Sequence, residues 1–394
     1  MTRSLTSFTL AITAIAALAG SAPAQDPMVE KKVFELASFA TQSGRTLKNV
    51  KVGWESYGTL NAEKSNAVLI CHFFSGTSHA AGKYAAADAA PGYWDAIIGP
   101  GKAIDTTKHF VLSSDTLVNL GALDPRVTTT GPATIDPDTG RPYGMNFPIV
   151  TIRDFVEVQK KLVESLGIKR LALVAGASMG ALQTYEWAAS HPDMVARIMP
   201  VIGYAEADAN LVAWLDIWAS PIRLDPKWNG GDYYGKEPPL AGLGQALKIV
   251  TLHAQHWDWA NATFARKWAK EGEDPARGFD KRFLIEQTLD NAGAGRAKVS
   301  DANHFLYLVK ANQLFVAGGG TLADGLKRIK APALLISSPK DLVFPPGGIQ
   351  ATIDGLKAGG GAVEHVTLTG NRGHLDGVLS LKQAETQIKG FLAR

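Results

Sequence analysis

Short apolar runs bounded by glycine and polar residues recur at both ends of the chain. Residues 32–40 and 48–57 flank Ser43-Gly44, which predicts an antiparallel hairpin. Residues 67–72, 109–114 and 171–175 are compact apolar runs of the kind that form buried strands. Between the last two, residues 152–166 place Phe155, Val158, Leu162 and Leu166 at helical spacing and stop at Gly167. Residues 333–338 and 365–368 predict two further strands. Residues 381–392 predict a closing amphipathic helix with Ser380 as its N-cap. This alternation predicts an α/β fold, a mostly parallel sheet covered by helices on both faces.

The middle of the chain reads differently. Residues 205–320 combine many tryptophans, Gly/Pro turns and helical patches at 243–258, 279–291 and 303–315, without a buried strand. We read this segment as a helical lid inserted into a core made of residues 25–204 and 321–394. Ahead of the core, Arg3, an apolar stretch over residues 8–19 and Ala22-Pro23-Ala24 form a secretory signal cut after Ala24. The stretch is shorter than the roughly 20 residues of a spanning helix. The expected product is a periplasmic or secreted protein with no stable membrane insertion after cleavage.

Composition narrows the partners. Hydrophobic residues make up 46% and charged residues 20% of the 394, a globular balance. The 40 basic and 37 acidic side chains are interspersed, so no block marks nucleic acid or an anionic membrane. Cys71 is the one cysteine, which excludes an intramolecular disulfide. No metal-ligand spacing, G-x-G-x-x-G or P-loop is present, and no cofactor is expected.

The sharpest chemical signal is Gly176-Ala177-Ser178-Met179-Gly180, between the apolar run 171–175 and a predicted helix over 181–189. Strand, tight turn and helix make this a nucleophile elbow of the α/β-hydrolase fold. The bland alternative is a glycine-rich turn whose serine merely caps a helix. A serine nucleophile needs a base, and the base needs an orienting acid; in this fold they follow in the order Ser, Asp or Glu, His. Asp341 follows the run 333–338 and His374 follows 365–368, which gives the triad Ser178, Asp341, His374. His191, His253 and His256 lie in or at the ends of predicted helices and read as structural or solvent-facing, and His365 starts a strand. Asp376 is the rival acid, two residues from the base. The oxyanion donors are the backbone N–H groups of Met179 and of Phe74 in the loop after residues 67–72, with Phe73 the alternative.

The chain resembles the homoserine O-acetyltransferase family of α/β hydrolases. The resemblance is carried by residues 71–76 with His79, Trp94-Asp95, residues 98–106 and 151–154, the elbow, Glu186-Trp187, and residues 228–233, 306–308, 341–346 and 373–374. It implies the same triad, a helical lid and a homodimer built through that lid. It also implies two departures. The arginine that holds the substrate carboxylate in the family aligns with Ala219, and the acid after the histidine is Leu375, with Asp376 displaced by one.

An unpaired charge is costly in a buried pocket, so both losses weigh against a zwitterionic amino acid. We therefore expect first an exported carboxylic-ester hydrolase acting on a small-molecule ester or acyl substrate. An O-acyltransferase, with an alcohol as second nucleophile, comes second. A non-catalytic binding protein on the same scaffold comes third.

Overall fold

The computed structural model describes residues 28–394, so the leader over residues 1–24 lies outside the described residues. Eight strands form the central sheet: β1 Lys32–Ala40, β2 Thr46–Tyr57, β3 Ala67–Cys71, β4 Phe110–Ser114, β5 Leu173–Ala177, β6 Ile198–Val201, β7 Ala333–Ser337 and β8 Val363–Thr367. Their spatial order is β1-β2-β4-β3-β5-β6-β7-β8. The β1–β2 and β2–β4 pairs are antiparallel, and every later pair is parallel.

The inner strands are buried along their whole length, which explains their unbroken apolar sequences. Alternate side chains feed two cores. Leu69, Cys71, Leu112, Val174 and Leu335 point to one face, and Val68, Ile70, Val111, Leu173 and Ile336 to the other. Helix α1 (Ile152–Ser165) and helix α2 (Met179–Ser190) cover the first face. A capping box starts α1: Asp154 N–H donates to Thr151 Oγ1, and the Asp154 carboxylate accepts from Thr151 N–H at 2.7 Å.

Between β6 and β7 the chain is helical: α3 Ala209–Leu224, α4 Leu240–His253, α5 Trp257–Thr263, α6 Leu284–Ala297, α7 Ala302–Gln313 and α8 Leu322–Arg328. It leaves and returns side by side, with Ala207 N–H donating to Phe315 O and Ala317 N–H to Ala205 O, both at 2.9 Å or less. The last segment carries α9 Pro346–Ala358, α10 Asp376–Leu379 and α11 Glu385–Leu392, the last packing Ile388 and Phe391 on the second face. Among the described residues no helix is long and apolar enough to cross a membrane.

Several expectations shift. The run predicted over 171–175 is displaced to β5, which continues to the residue before Ser178. Strand β6 had no forecast: it is four residues long and contains Pro200, which lacks the ladder N–H. Its pairing with β7 registers Ile198 with Ala333 and Val201 with Ile336, skipping the proline. Ser380 does not cap a helix; its hydroxyl bonds Asp376, and residues 381–384 form a 3₁₀ turn ahead of α11. The helix expected over 243–258 breaks after His253, because His256 takes the Asp258 N–H as a new N-cap. Helix α3 also had no forecast; Pro221 sits inside it.

Near the hairpin, Glu55 and Asp115 are both fully buried and share Lys31, whose Nζ is 2.7 Å from Asp115 and 3.6 Å from Glu55. Burial pushes the Glu55 carboxyl up. Hydrogen bonds from His79, Ser78 and Tyr84, with the Lys31 charge, outweigh it and hold the group down at about 2. At Asp115 burial prevails over the same lysine and the pKa is raised. A group whose folded pKa is depressed stabilises above its unfolded pKa and loses that contribution as pH falls. We predict that the Glu55 contribution, about 3 kcal/mol, disappears between pH 4.5 and about 2. Lys31→Met removes the cation shared by both carboxylates and lowers the melting temperature at pH 7 by several degrees. Calorimetry of both proteins from pH 7 to 3 checks this; an unchanged midpoint at pH 7 refutes it.

Candidate active site

Strand β5 delivers Ser178 at φ 57°, ψ −120°, and α2 starts at the next residue. A non-glycine residue with positive φ costs on the order of 1–3 kcal/mol and persists only where its surroundings enforce it. Here Ser178 N–H donates to Val201 O on β6 at 2.9 Å, and Ser178 O accepts from Ala181 and Leu182. The flanking glycines are dictated by contact. A Cβ on Gly176 would lie 2.4 Å from Gly180 O, and one on Gly180 would lie 2.1 Å from Cys71 O. The serine therefore stands on a crowded turn at the carboxyl edge of the sheet, with only 8% of its surface exposed.

Asp341 and His374 come from the loops after β7 and β8 and meet: His374 Nδ1–H donates to Asp341 Oδ2 at 2.8 Å. The second carboxylate oxygen accepts the N–H groups of Val343 (2.8 Å) and Phe344 (2.9 Å), so the buried acid is saturated with donors. Phe344 stacks on the imidazole, centroids 5.6 Å apart. With the proton fixed on Nδ1, the other ring nitrogen is bare, the state a general base requires.

Contacts tie this pair to the elbow. A Cβ on Gly377, three residues beyond the histidine, would lie 2.5 Å from Ile202, and Ile202 follows the Val201 carbonyl that holds Ser178 N–H. Phe344 also meets Tyr204 edge-on at 4.8 Å. Among the described residues Ser178 Oγ forms no hydrogen bond to His374. Without substrate such bonds are often long, and they tighten in the reacting complex. Asp376 lies elsewhere, bonded to Ser338 and Ser380. His365 bonds Ser337 and His191 bonds Glu157.

The loop leaving β3 is braced from beneath. His72 is fully buried; its Nδ1–H donates to Phe73 O at 2.8 Å and its Nε2 accepts from Asn119 at 3.2 Å. Burial lowers its pKa to about 4, so it is neutral and keeps that tautomer. Gln183 on α2 donates to His72 O at 3.1 Å, linking this loop to the elbow helix. The N–H groups of Met179 and Phe74 find no protein acceptor among the described residues, leaving both free for a ligand. Above them, the Phe74 ring meets Trp218 and Phe305 of the lid edge-on, at 5.5 and 5.2 Å. Of the two readings given for His253 and His256, structural or solvent-facing, the structure favours the first. Both are buried where α4 and α5 meet the catalytic loops, which periodicity alone could not show. Burial of Cys71 pushes its thiol pKa well up, as suits a packing residue. Among the described residues no group of three His, Cys, Asp or Glu side chains is arranged to hold a metal ion.

Fold and site together define an α/β hydrolase. The family model for the alpha/beta hydrolase fold matches residues 122–376, and the chain belongs to that family. Within it, the chain belongs to the homoserine O-acetyltransferase family. A homoserine O-acetyltransferase of Methanococcoides burtonii is 38% identical over 355 residues, covering 90% of this chain and 71% of the relative. The crystal structure of homoserine O-acetyltransferase from Bacillus anthracis is 36% identical with a TM-score of 0.89, covering 93% of this chain and 98% of that one. The crystal structure of a protein called esterase E22 is 49% identical with the same TM-score of 0.89, covering 93% and 100%.

These comparisons correct the reading placed first in the sequence analysis. The Methanococcoides burtonii relative and two others compared over nine-tenths of the chain carry the acetyltransferase name. The exported ester hydrolase therefore gives way to acyl transfer onto an alcohol. The physical reason for the error is plain. Hydrolysis and transfer share nucleophile, base, acid and oxyanion donors, so those residues could not separate them. The choice had rested on two missing charges and a leader.

The elbow yields a stability prediction. Gly180→Ala forces a methyl against the Cys71 carbonyl; overpacking of this kind costs about 1–3 kcal/mol, and a backbone neighbour cannot step aside. A melting temperature lower by several degrees, with slower labelling of Ser178 by a fluorophosphonate, is expected. A variant as stable and as reactive as the parent refutes the close-packing argument.

Proposed function

We propose that the protein is an O-acyltransferase of the homoserine O-acetyltransferase type, moving an acyl group from an ester or thioester donor to an alcohol through Ser178. The buried Asp341–His374 hydrogen bond of 2.8 Å, at the sheet edge where Ser178 is held at positive φ, supports acyl chemistry at this serine, and the acetyltransferase relatives favour an alcohol over water as acceptor. His374 Nε2 takes the Ser178 proton as Oγ attacks the donor carbonyl. Met179 and Phe74 N–H groups hold the oxyanion, and Asp341 stabilises the imidazolium. Collapse expels the donor's leaving group, which receives that proton, and leaves an acyl-serine. An acceptor hydroxyl then gives its proton to His374, attacks the acyl carbon, and departs as the new ester while Ser178 regains a proton.

The names of the relatives make homoserine the first acceptor to try and acetyl the first group. Neither Ala219, buried in the lid, nor Leu375 supplies a charge for an amino acid's carboxylate or ammonium. The acceptor series should therefore include an uncharged alcohol of the same length. Purified protein is incubated with acetyl-CoA or p-nitrophenyl acetate and each acceptor, and the O-acetyl product is measured by mass spectrometry. Product formation that falls by about 10⁴–10⁶-fold in Ser178→Ala is expected. Donor consumption unaffected by any acceptor, with no acetylated alcohol, would falsify the proposal.

Export and dimerisation belong to the same reading. The leader supports a periplasmic or secreted protein beginning at Gln25. Its donor there would be an ester rather than a cytoplasmic thioester. Exposed Ile217, Leu224, Leu252 and Trp257 on or beside the lid helices supply an apolar surface for a homodimer. Intact-mass analysis and light scattering of protein from the periplasmic fraction should give a chain starting at Gln25 and twice its mass. A full-length or monomeric product would refute the corresponding half.

A further inference from the structure

The lid meets the loops of Asp341 and His374 at a short junction, the end of α4 and the start of α5. His253, the last residue of α4, is buried and clamped from three directions. Trp218 Nε1–H on α3 donates to its Nδ1 at 3.2 Å, and its Nε2 lies 3.1 Å from Leu342 O. The Trp214 ring stacks on it at 3.9 Å. An indole N–H only donates and a carbonyl only accepts, so the proton is on Nε2 and the ring is neutral. Leu342 adjoins Asp341. One residue further along the lid, Ala254 O accepts the N–H of Leu375, which adjoins His374, at 3.3 Å. Lys340 pairs with Asp258 at 2.7 Å. A Cβ on Gly373 would lie 3.2 Å from His256 N, so the loop bearing the base lies flat against the junction. The same Trp218 ring meets Phe74, whose N–H is the second oxyanion donor of the proposed mechanism.

We propose that His253 is a positioning residue. With Trp218 it clasps the lid to the loop of Asp341, holding the Asp341–His374 pair and the oxyanion loop in a common frame. Only the kinetic arm of this inference rests on the acyl-transfer reading. Loosening the clasp lets the acid loop shift relative to the imidazole, and misplacement of about 1 Å can cost a factor near 100 in rate. The alternative is that His253 merely anchors the lid, with stability but not catalytic geometry depending on it.

The test uses the full chain and three variants. His253→Phe keeps a stacked ring and removes both hydrogen bonds. His253→Gln keeps an acceptor and a donor. Trp218→Phe deletes the indole N–H together with part of the ring that packs on Phe74 and His253. For His253→Phe we expect kcat to fall about 10–100-fold with KM nearly unchanged, and for His253→Gln most of the loss to be recovered. Proton NMR supplies a readout independent of turnover. The downfield resonance expected for the His374 Nδ1 proton in the parent should shift or vanish in His253→Phe and Trp218→Phe and persist in His253→Gln.

Unchanged kcat and resonance in folded His253→Phe would overturn the clasp. If that variant does not fold, the same two measurements on Trp218→Phe decide. A parent that transfers no acyl group, yet loses the resonance in the variants, refutes the functional reading and leaves the clasp standing.

Discussion

The approach of Gly180 to the carbonyl of Cys71 fixes the geometry on which the site depends. A strand end and a helix start meet there backbone to backbone, closer than any side chain allows. Because β3 and α2 touch at that point, the loop leaving β3 passes beside the first turn of α2. The two candidate oxyanion donors are then neighbours by construction, one at residue 179 and one at 74. Gln183 reinforces the junction by donating to both His72 O and Met179 O. Strain at Ser178 is the consequence, sustained by the β6 carbonyl that holds its N–H.

Desolvation governs the rest of the charge layout. Three buried ionisable groups beside the site are satisfied in two different ways. Asp341 has three donors; His72 and His253 are neutral, with both ring nitrogens occupied and pKa values lowered to about 4 chiefly by burial. Of the three histidines His72, His253 and His374, only His374 has a ring nitrogen without a hydrogen-bond partner among the described residues. At the other end of the β3 exit loop, Ser78 binds Glu55 and Asp115, and the Lys31 pairing stabilises the loop from outside.

The legible parts of this protein were those fixed by short-range rules. Buried parallel strands need unbroken apolar runs, and the elbow needs small residues around its serine. The acid and base must follow strand ends, so Asp341 and His374 could be chosen over Asp376 and eight other histidines. Strand β6 escaped because Pro200 reads as a breaker, although the register with β7 skips it and the register with β5 places it opposite Gly176. Helix boundaries inside the lid escaped for a different reason. Its helices are amphipathic toward several partners at once, and α4 ends where a histidine caps the next helix, a signal invisible to periodicity. His253 is the telling case: its neighbours in sequence say nothing of Trp218 or Leu342.

The second nucleophile was illegible because it is not encoded in the triad. An acyl-serine is attacked by whichever hydroxyl arrives with a proton path to His374, and bulk water is always the more abundant candidate. Transfer can compete only if the acceptor is bound and oriented before the acyl group is exposed, an advantage of effective concentration rather than of intrinsic reactivity. That places the decision in the lid, whose Trp218 and Phe305 rings lie over Phe74 and can exclude water. The same lid carries His253, so the element that would select an alcohol over water is also the one fastened to the acid and base. On the proposed function, binding and proton transfer would share one frame, and a change in lid packing is expected to move selectivity and rate together.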